Sequence, residues 1–178
     1  AEAASLLKNG DTVATGGFVG NGFAEELAVA IEKHFLETGT PQNLTLMYAA
    51  GQGDGKTRGL NHFGHDGMVA KVIGGHWGLV PSLQKLAVEN KIIAYNLPQG
   101  IISTMFRDIA AKKPRTISTV GLGTFVDPRN GGGKINSITT EDIVELMHFD
   151  GEEYLAYKTH SVDIALLRGT TADTDGNI

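Results

Sequence analysis

The sequence contains no cysteine, and this absence excludes disulfides, thiol nucleophiles and cysteine-ligated metal sites. It has no apolar run near the roughly 20 residues that cross a bilayer, and its first residues lack the basic and apolar segments of a signal peptide. Positive charge is also in deficit, with a net charge of −5, whereas a nucleic-acid backbone calls for a basic surface. We therefore expect a cytoplasmic protein whose partners include neither a membrane nor nucleic acid.

Glycine, by contrast, is abundant, with 24 of the 178 residues. The glycines fall in clusters rather than in a repeat, which predicts many tight turns around a site. A chain of this length suits one domain with its own core. The sequence lacks an initiator Met and ends in the turn-like "ADTDGNI", so we expect residues 1–178 to be one domain of a longer protein, truncated at its C-terminal edge.

Apolar periodicity predicts short strands alternating with helices. The predicted strands are 11–17, 43–51, 68–75, 92–96 and 115–121, and the predicted helices are 23–39, 81–91 and 103–113. Asp150-Gly151 predicts a hairpin within 143–158, and 161–170 is predicted to be a last buried strand. Strands that alternate with crossover helices form parallel sheets. The predicted fold class is therefore α/β, with an open mixed, mostly parallel sheet flanked by helices and a β-hairpin near the C-terminus.

The glycine clusters follow the predicted strands. They are Gly16-Gly17, Gly51 to Gly55, Gly74-Gly75 and Gly121 to Gly123, and Gly100 comes soon after strand 92–96. In open α/β sheets the ligand crevice lies beyond the carboxyl ends of the strands, where glycine lets backbone approach a ligand. We expect a site at this edge of the sheet, and a purely structural role as turn residues stays open for each glycine.

The stretch "AAGQGDGKTRG", 49–59, is similar to a phosphate-binding loop. Gly55, Lys56 and Thr57 fit the pattern, but Ala50 stands at the first glycine position and no helical pattern follows. A nucleotide-binding phosphohydrolase would rest on this loop alone, so we do not favour it. A dinucleotide fingerprint is equally incomplete, because Gly20-x-Gly22 is followed by Glu25 at the third glycine position.

The sequence gives little support for a metal site or for a serine nucleophile. His62, His65 and His76 are close in sequence, but no carboxylate stands at metal-ligand spacing on a regular helix, so we expect no metal. No Gly-x-Ser-x-Gly elbow offers a nucleophile, and Asp127 with Arg129 is predicted to be a structural ion pair. From the residues alone, a non-catalytic α/β module that binds a small ligand remains an alternative to an enzyme.

Five segments together carry a resemblance to a known family. They are "NGDTVATGGFVGNG" (9–22), "FLETGTPQNLTLMYAAGQGD" (35–54), "KVIGGHWGLVPSLQKLAVENKIIAYNLPQG" (71–100), "GLGTFVDPRNGGGKIN" (121–136) and "LLRGTTADTDGN" (166–177). The chain resembles the N-terminal, alpha-type half of family I coenzyme A transferases, most closely acetate or propionate CoA-transferases. It departs where Phe23 and Ala24 follow Gly22, since the family usually has proline two residues after that glycine, and this affects how helix 23–37 begins.

The resemblance implies a ping-pong transfer of CoA from a short acyl-CoA, of acetyl, propionyl or butyryl type, to a free carboxylate. A glutamate forms an acyl-glutamyl anhydride and then a glutamyl-CoA thioester. That glutamate belongs to the C-terminal, beta-type half, so the resemblance implies no catalytic residue in this chain and no activity of this piece alone. It further implies CoA as substrate, no permanently bound cofactor, a beta-type partner half and a homo-oligomer.

The resemblance also implies which loops form one wall of the cleft. Gln99 is expected to donate a hydrogen bond to the acyl or carboxylate oxygen, and Phe18 and Phe125 to limit acyl chain length. The candidate residues that bind substrate or CoA are Gly17, Phe18, Gly20, Gly22, Ala50, Gly51, Gln99, Gly100, Gly121, Gly123, Thr124 and Phe125.

Overall fold

A computed structural model describes residues 2–177 and shows two sheets with three helices. The strands are β1 Thr12–Thr15, β2 Leu44–Tyr48, β3 Val69–Gly74, β4 Ile93–Asn96, β5 Arg115–Ser118, β6 Val144–Phe149, β7 Glu152–Lys158 and β8 Ile164–Leu166. The helices are α1 Glu25–Thr38, α2 Pro81–Val88 and α3 Gln99–Ala110, with short 3-10 turns at Ala3–Leu6, Leu60–Phe63 and Pro128–Asn130. One sheet is parallel, in the order β4-β3-β2-β1-β8, and the other is antiparallel, in the order β5-β7-β6.

The parallel sheet separates two apolar cores, because successive side chains of a strand point to opposite faces. Leu46, Tyr48 and Val72 pack on the face that carries α1 and α2. Met47 and Ile73 pack on the other face, against α3 and the antiparallel sheet. The sheet is thus covered on both faces, as predicted for a parallel sheet.

Local sequence explains how α1 begins and ends. Glu25 and Glu26 stand in the first turn, where acidic groups favour the positive end of the helix dipole. Ala24 provides no side-chain cap there. At the other end Gly39 adopts a left-handed conformation, with φ 74°, and its N–H donates to the carbonyl of Phe35 at 2.7 Å. The prediction of this helix and of its C-terminal glycine is confirmed.

The predicted hairpin is also confirmed. Phe149 pairs with Glu152 across a two-residue turn in which Asp150 and Gly151 both have positive φ, 50° and 86°. Such a turn matches the twist of the two strands, and Asp-Gly is a preferred sequence for it.

The predicted mixed, mostly parallel arrangement is divided between two sheets, and strand β5 belongs to the antiparallel one. It pairs antiparallel with β7, not with β4. The reason is that segment 133–139 already covers the edge of β4. Asn96 N–H donates to Gly133 O at 2.8 Å, Ile135 N–H to Ala94 O at 3.0 Å, and Ala94 N–H to Thr139 Oγ1 at 2.8 Å.

Several boundaries also differ from the prediction, and the largest differences are at the start of α3 and in the last strand. Helix α3 begins at Gln99, four residues before the predicted start, with Pro98 as its N-cap, whose carbonyl accepts the Ile102 N–H at 3.1 Å. The last strand is shorter than 161–170, and it lies at a sheet edge with Ala165 exposed and Leu166 buried. Among the described residues, none of the helices combines the length and apolar character required to cross a membrane.

Candidate functional site

Four parallel strands end at one edge of the sheet, at Thr15, Tyr48, Gly74 and Asn96. The loops that follow them carry most of the candidate residues. As predicted, the clusters at 16–17, 51–55 and 74–75 lie at this same edge. Hydrogen bonds and close packing join these loops into a row.

The first two loops are joined through Val19. Phe18 and Asn21 exchange two backbone hydrogen bonds of 2.9 Å, which closes a tight turn. At its tip Val19 N–H donates to Gly51 O at 2.7 Å, and Val19 O accepts from Gly53 N–H at 3.0 Å. Val19 has φ 56°, a conformation that β-branched residues rarely adopt and that costs about 1–3 kcal/mol. The two hydrogen bonds hold it there.

Glycine allows these loops to pack closely on their neighbours. A Cβ added at Gly75 would lie 2.2 Å from Ala49 O and 2.8 Å from Gln99 Cγ. A Cβ added at Gly51 would lie 2.5 Å from His76 Nδ1. The glycines therefore allow neighbouring loops to pack closely. The aliphatic stem of Gln99 packs against Gly75, beside the loop at Ala49.

Some backbone donors in this row have no acceptor within the described residues. Within residues 2–177, the N–H groups of Ala50, Gly51 and Gln99 donate to no acceptor. Gln99 is exposed at the start of α3, and its side-chain amide makes no hydrogen bond to the described residues. Gly100 follows in the first turn, with open space where a side chain would point. Such N–H groups are suited to stabilise an oxyanion.

The glycines at 121–123 lie elsewhere than predicted, since they follow β5 of the antiparallel sheet. A Cβ at Gly121 would lie 2.4 Å from Tyr157 Oη, so this glycine serves packing. Gly123 N–H donates to Asp127 Oδ2 at 2.9 Å, and Thr124 Oγ1 donates to Gly121 O at 2.7 Å. The polar groups of this loop are thus largely satisfied within it.

The same loop still reaches the site edge, through Gly133. Gly133 N–H donates to Phe125 O at 3.1 Å, and Gly133 O accepts from Asn96 N–H at 2.8 Å. Phe125 and, at the other end of the row, Phe18 are 55% and 64% exposed. Both rings are thus exposed among the described residues, unlike the packed glycines.

Asp127 organises this loop from within. Its buried carboxylate accepts from Arg129 Nε at 2.9 Å, from Arg129 Nη2 at 2.7 Å and from the N–H groups of Gly123 and Arg129. The Arg129 side chain, followed by the Gly123 N–H, holds the pKa of Asp127 far below its usual range. The predicted structural ion pair is confirmed, and Arg129 extends it to Glu153 at 3.0 Å.

Loop 49–59, which is similar to a phosphate-binding loop, is organised around the carboxylate of Asp54. Asp54 Oδ1 accepts the N–H groups of Lys56, Thr57 and Arg58 at 2.8, 2.9 and 3.0 Å. The amides that would cradle a phosphate are therefore occupied by a carboxylate. A 3-10 turn at Leu60–Phe63 follows, where a phosphate loop needs an α-helix.

The histidines contribute to structure. His62 lies between two carboxylates of α1, with Nε2 3.0 Å from Glu25 Oε1 and Nδ1 2.5 Å from Glu32 Oε2. His65 Nε2 lies 2.6 Å from Glu32 Oε1. Among residues 2–177, no group of three or more His, Cys, Asp or Glu is placed to hold a metal ion.

Three residues beside the candidate loops were missed by sequence reasoning. Val19 links two loops through backbone, which no side-chain pattern indicates. His76 packs on Gly51, and the only signal was its position after Gly74-Gly75. Arg168 follows β8 and lines a cleft with Gly20, and its signal was a lone basic residue after an apolar strand.

Comparison with known proteins decides the family, because the model of the family described as coenzyme A transferase matches residues 1–178. The chain belongs to the coenzyme A transferase family. It is 50% identical over 177 residues to the caffeate CoA-transferase of Acetobacterium woodii, covering 99% of this chain and 34% of that protein. It is 45% identical over 153 residues to the acetate CoA-transferase YdiF of Escherichia coli K12, covering 86% and 29%.

Solved structures of this family agree. The acyl-CoA transferase YdiF of Escherichia coli O157:H7 superposes with a TM-score of 0.95 at 42% identity, over 98% of this chain and 34% of that one. Glutaconate coenzyme A-transferase of Acidaminococcus fermentans shares the fold, with a TM-score of 0.70 at 19% identity, over 99% and 57%. The chain thus spans about a third of the length of these curated transferases.

Proposed function

We propose that this chain forms the alpha-type part of an enzyme that transfers CoA between a short-chain acyl-CoA and a free carboxylate. The observation that carries this proposal is the row of joined loops at the carboxyl edge, with the N–H groups of Ala50, Gly51 and Gln99 left over as donors. Family membership supplies the reaction class. Substrate choice and the site residues are part of the proposal.

The proposed chemistry proceeds through a glutamate of the beta-type half. Its carboxylate attacks the thioester carbonyl, and the C–S bond breaks to give an acyl-glutamyl anhydride and CoA thiolate. The thiolate then attacks the glutamyl carbonyl, which releases the acyl group as a carboxylate and leaves a glutamyl-CoA thioester. A second carboxylate repeats these steps in reverse order. Each addition places negative charge on a carbonyl oxygen.

The described loops would stabilise that charge. Gln99 can donate from its side chain, and its position is held because its stem packs on Gly75. Ala50 and Gly51 can donate from backbone that is fixed by Val19. Preorganised donors of this kind lower the barrier more than mobile ones. The exposed rings of Phe18 and Phe125 would border the acyl chain.

The partner in this proposal is a beta-type half, on the same polypeptide or on a second subunit. The chain is 28% identical to the acetate CoA-transferase subunit alpha of Escherichia coli K12 over 177 residues, 71% of that protein. CoA and the acid would be substrates rather than resident cofactors. The homo-oligomer and the cytoplasmic setting stay predictions.

The test uses the full-length protein with propionyl-CoA and labelled acetate. We expect label in acetyl-CoA, and a borohydride-sensitive glutamyl adduct when acyl-CoA is present alone. Hydrolysis without transfer would contradict the proposal in favour of an acyl-CoA hydrolase. Propionate, butyrate and caffeate as competing acids would define the acid preference. Saturable binding of MgATP that is lost in Lys56→Ala would instead support a nucleotide site.

Gln99→Ala is expected to lower kcat by about tenfold to a hundredfold, because one donor to the developing oxyanion is lost. Gln42→Ala is the matched control, since Gln42 is exposed and, within residues 2–177, forms hydrogen bonds through its backbone alone. Equal kcat values for the two variants would remove Gln99 from the proposed machinery.

A further inference from the structure

A polar cleft of about 280 Å³ lies beside the turn at Val19. Gly20 forms one wall, and loop 53–59 forms the other. Arg58 and Arg168 stand along its rim, although they are 110 residues apart in sequence. The turn whose tip, Val19, bonds Gly51 thus also lines this cleft, with both Val19 and Gly20.

The carboxylates of Glu25 and Asp54 also line the cleft, but both already have hydrogen-bond partners. Glu25 Oε1 lies 3.0 Å from His62 Nε2, and Glu25 Oε2 accepts the Gly59 N–H at 3.0 Å. Asp54 Oδ1 is occupied by three backbone N–H groups of its own loop. Neither Glu25 nor Asp54 forms a salt bridge with Arg58 or Arg168.

The two guanidinium groups are therefore uncommitted. Within residues 2–177, Arg58 and Arg168 donate no side-chain hydrogen bond and form no salt bridge. Arg115 and Arg129, in contrast, each pair with a glutamate, Glu145 at 2.7 Å and Glu153 at 3.0 Å. A protein with a net charge of −5 has carboxylates to spare, so two unpaired arginines in one cleft favour an anionic ligand.

We propose that Arg58 and Arg168 bind the phosphate groups at the nucleotide end of CoA. This inference rests on the proposed function. A long pantetheine arm separates the thiol of CoA from its phosphates, so the phosphates must be held at a distance from the reacting carbonyl. The cleft adjoins the turn whose tip, Val19, contacts Gly51, so a CoA molecule could pass from the candidate loops to the arginines. Arginine is suited to the task because its fork of donors matches phosphate oxygens.

The experiment uses the full-length enzyme with Arg58→Ala, Arg168→Ala and, as a control, Arg107→Ala. Arg107 is exposed on α3 and is likewise unpaired among the described residues, so it matches the change in charge without the cleft. For each cleft variant we expect the KM for propionyl-CoA to rise about tenfold, the effect of one charge-assisted hydrogen bond. The KM for acetate and the KM for S-propionyl-pantetheine, which has no nucleotide, should not change.

A direct binding measurement separates this inference from the proposed reaction. Adenosine 3′,5′-bisphosphate is titrated calorimetrically into wild type, the three alanine variants, and Arg58→Lys and Arg168→Lys. We expect the alanine substitutions in the cleft to weaken binding about tenfold and the lysine substitutions to weaken it less. If wild type shows no CoA transfer but this pattern holds, the proposed function fails and the phosphate site stands.

Three results would overturn the inference while transfer activity persists. One is a KM for propionyl-CoA in the cleft variants equal to that of Arg107→Ala. Another is an equal rise with S-propionyl-pantetheine, which would show that the arginines act on the acyl end. The third is affinity for adenosine 3′,5′-bisphosphate that neither alanine nor lysine at 58 and 168 alters.

Discussion

The charge of His62 is set by the carboxylates that the fold places around its ring. Both ring nitrogens face carboxylates, Glu25 on one side and Glu32 on the other, so both can be satisfied only when the ring is an imidazolium. Burial opposes that charge, but the hydrogen bonds to Glu25 and Glu32 outweigh it and raise the pKa of His62. For Glu32 burial is likewise outweighed by His65 and His62, and its pKa is lowered.

These shifts predict how stability depends on pH. Because the pKa of His62 is raised in the folded state, its contribution is full below about pH 6.5 and is lost as the pH rises through the raised pKa. Glu32 contributes above about pH 4.5 and loses its contribution as the pH falls. At pH 6, His62→Gln should therefore lower the free energy of unfolding by about 1–3 kcal/mol, and the deficit should shrink toward pH 9.

Urea denaturation of wild type and variant at pH 4, 6, 7.5 and 9 measures this effect. His34→Gln is the control, since the ring of His34 makes no hydrogen bond to another described residue. A deficit for His62→Gln that stays constant from pH 6 to pH 9 would show that packing, not charge, holds the ring.

At the scale of elements, the strands and helices of the first hundred residues could be predicted from the sequence. Helix α1 has a clear apolar face and a C-terminal glycine, and β2 and β3 are short apolar runs bounded by turn residues. The pairing of β5 could not be predicted, because it depends on segment 133–139, which has no apolar period and yet covers β4. The local sequence of β5 carries no information on segment 133–139, which is distant in sequence and occupies the edge of β4.

The candidate site could be predicted as a set of loops but not as a set of contacts. The sequence places glycines after strands, and the structure distinguishes their roles. A Cβ at Gly75 would clash with the backbone oxygen of Ala49, whereas a Cβ at Gly100 would have no atom within 4 Å. Only the three-dimensional fold shows which glycines are required by a neighbour and which could carry a side chain.

Gly75→Ala should therefore damage both stability and the site, because the new Cβ would lie 2.2 Å from Ala49 O and displace Gln99. We expect a loss of about 1–3 kcal/mol, the usual cost of overpacking, and reduced transfer activity. Gly100→Ala, in the first turn of α3, should be neutral or slightly stabilising. Thermal unfolding compares the stabilities of the two variants, and the CoA-exchange assay measures the activity of Gly75→Ala. Equal stabilities would mean that the loop at Ala49 moves without cost.

At the scale of the whole molecule, segment 133–139 joins the parts of the fold. Asn136 Nδ2 donates to Ala87 O at 2.7 Å and to Ile92 O at 2.9 Å, which ties the segment to the end of α2 and the start of β4. Thr139 Oγ1 accepts the buried Ala94 N–H at 2.8 Å and donates to Asn136 Oδ1 at 2.6 Å. The edge of β4 is thereby covered within the chain.

Thr139→Val tests how firmly that edge is covered. Valine fills the same space but leaves the Ala94 N–H without an acceptor, so we expect the free energy of unfolding to fall by about 1–3 kcal/mol. Hydrogen exchange at the Ala94 amide should become faster, while Thr140→Val, at an exposed position, should change neither quantity. Unchanged protection of Ala94 would mean that the backbone pairing with Ile135 suffices.

Because the edge of β4 is covered, a further strand would extend the parallel sheet at its opposite edge. With β4 closed by its own chain, a further strand can join only beside β8, whose outer side is unpaired within residues 2–177. A peptide tag or domain inserted near residue 134 would uncover the edge of β4 and leave the sheet with a second unpaired strand edge. In protein engineering, insertions are better directed to the Asp150-Gly151 turn, because this turn lies outside the parallel sheet.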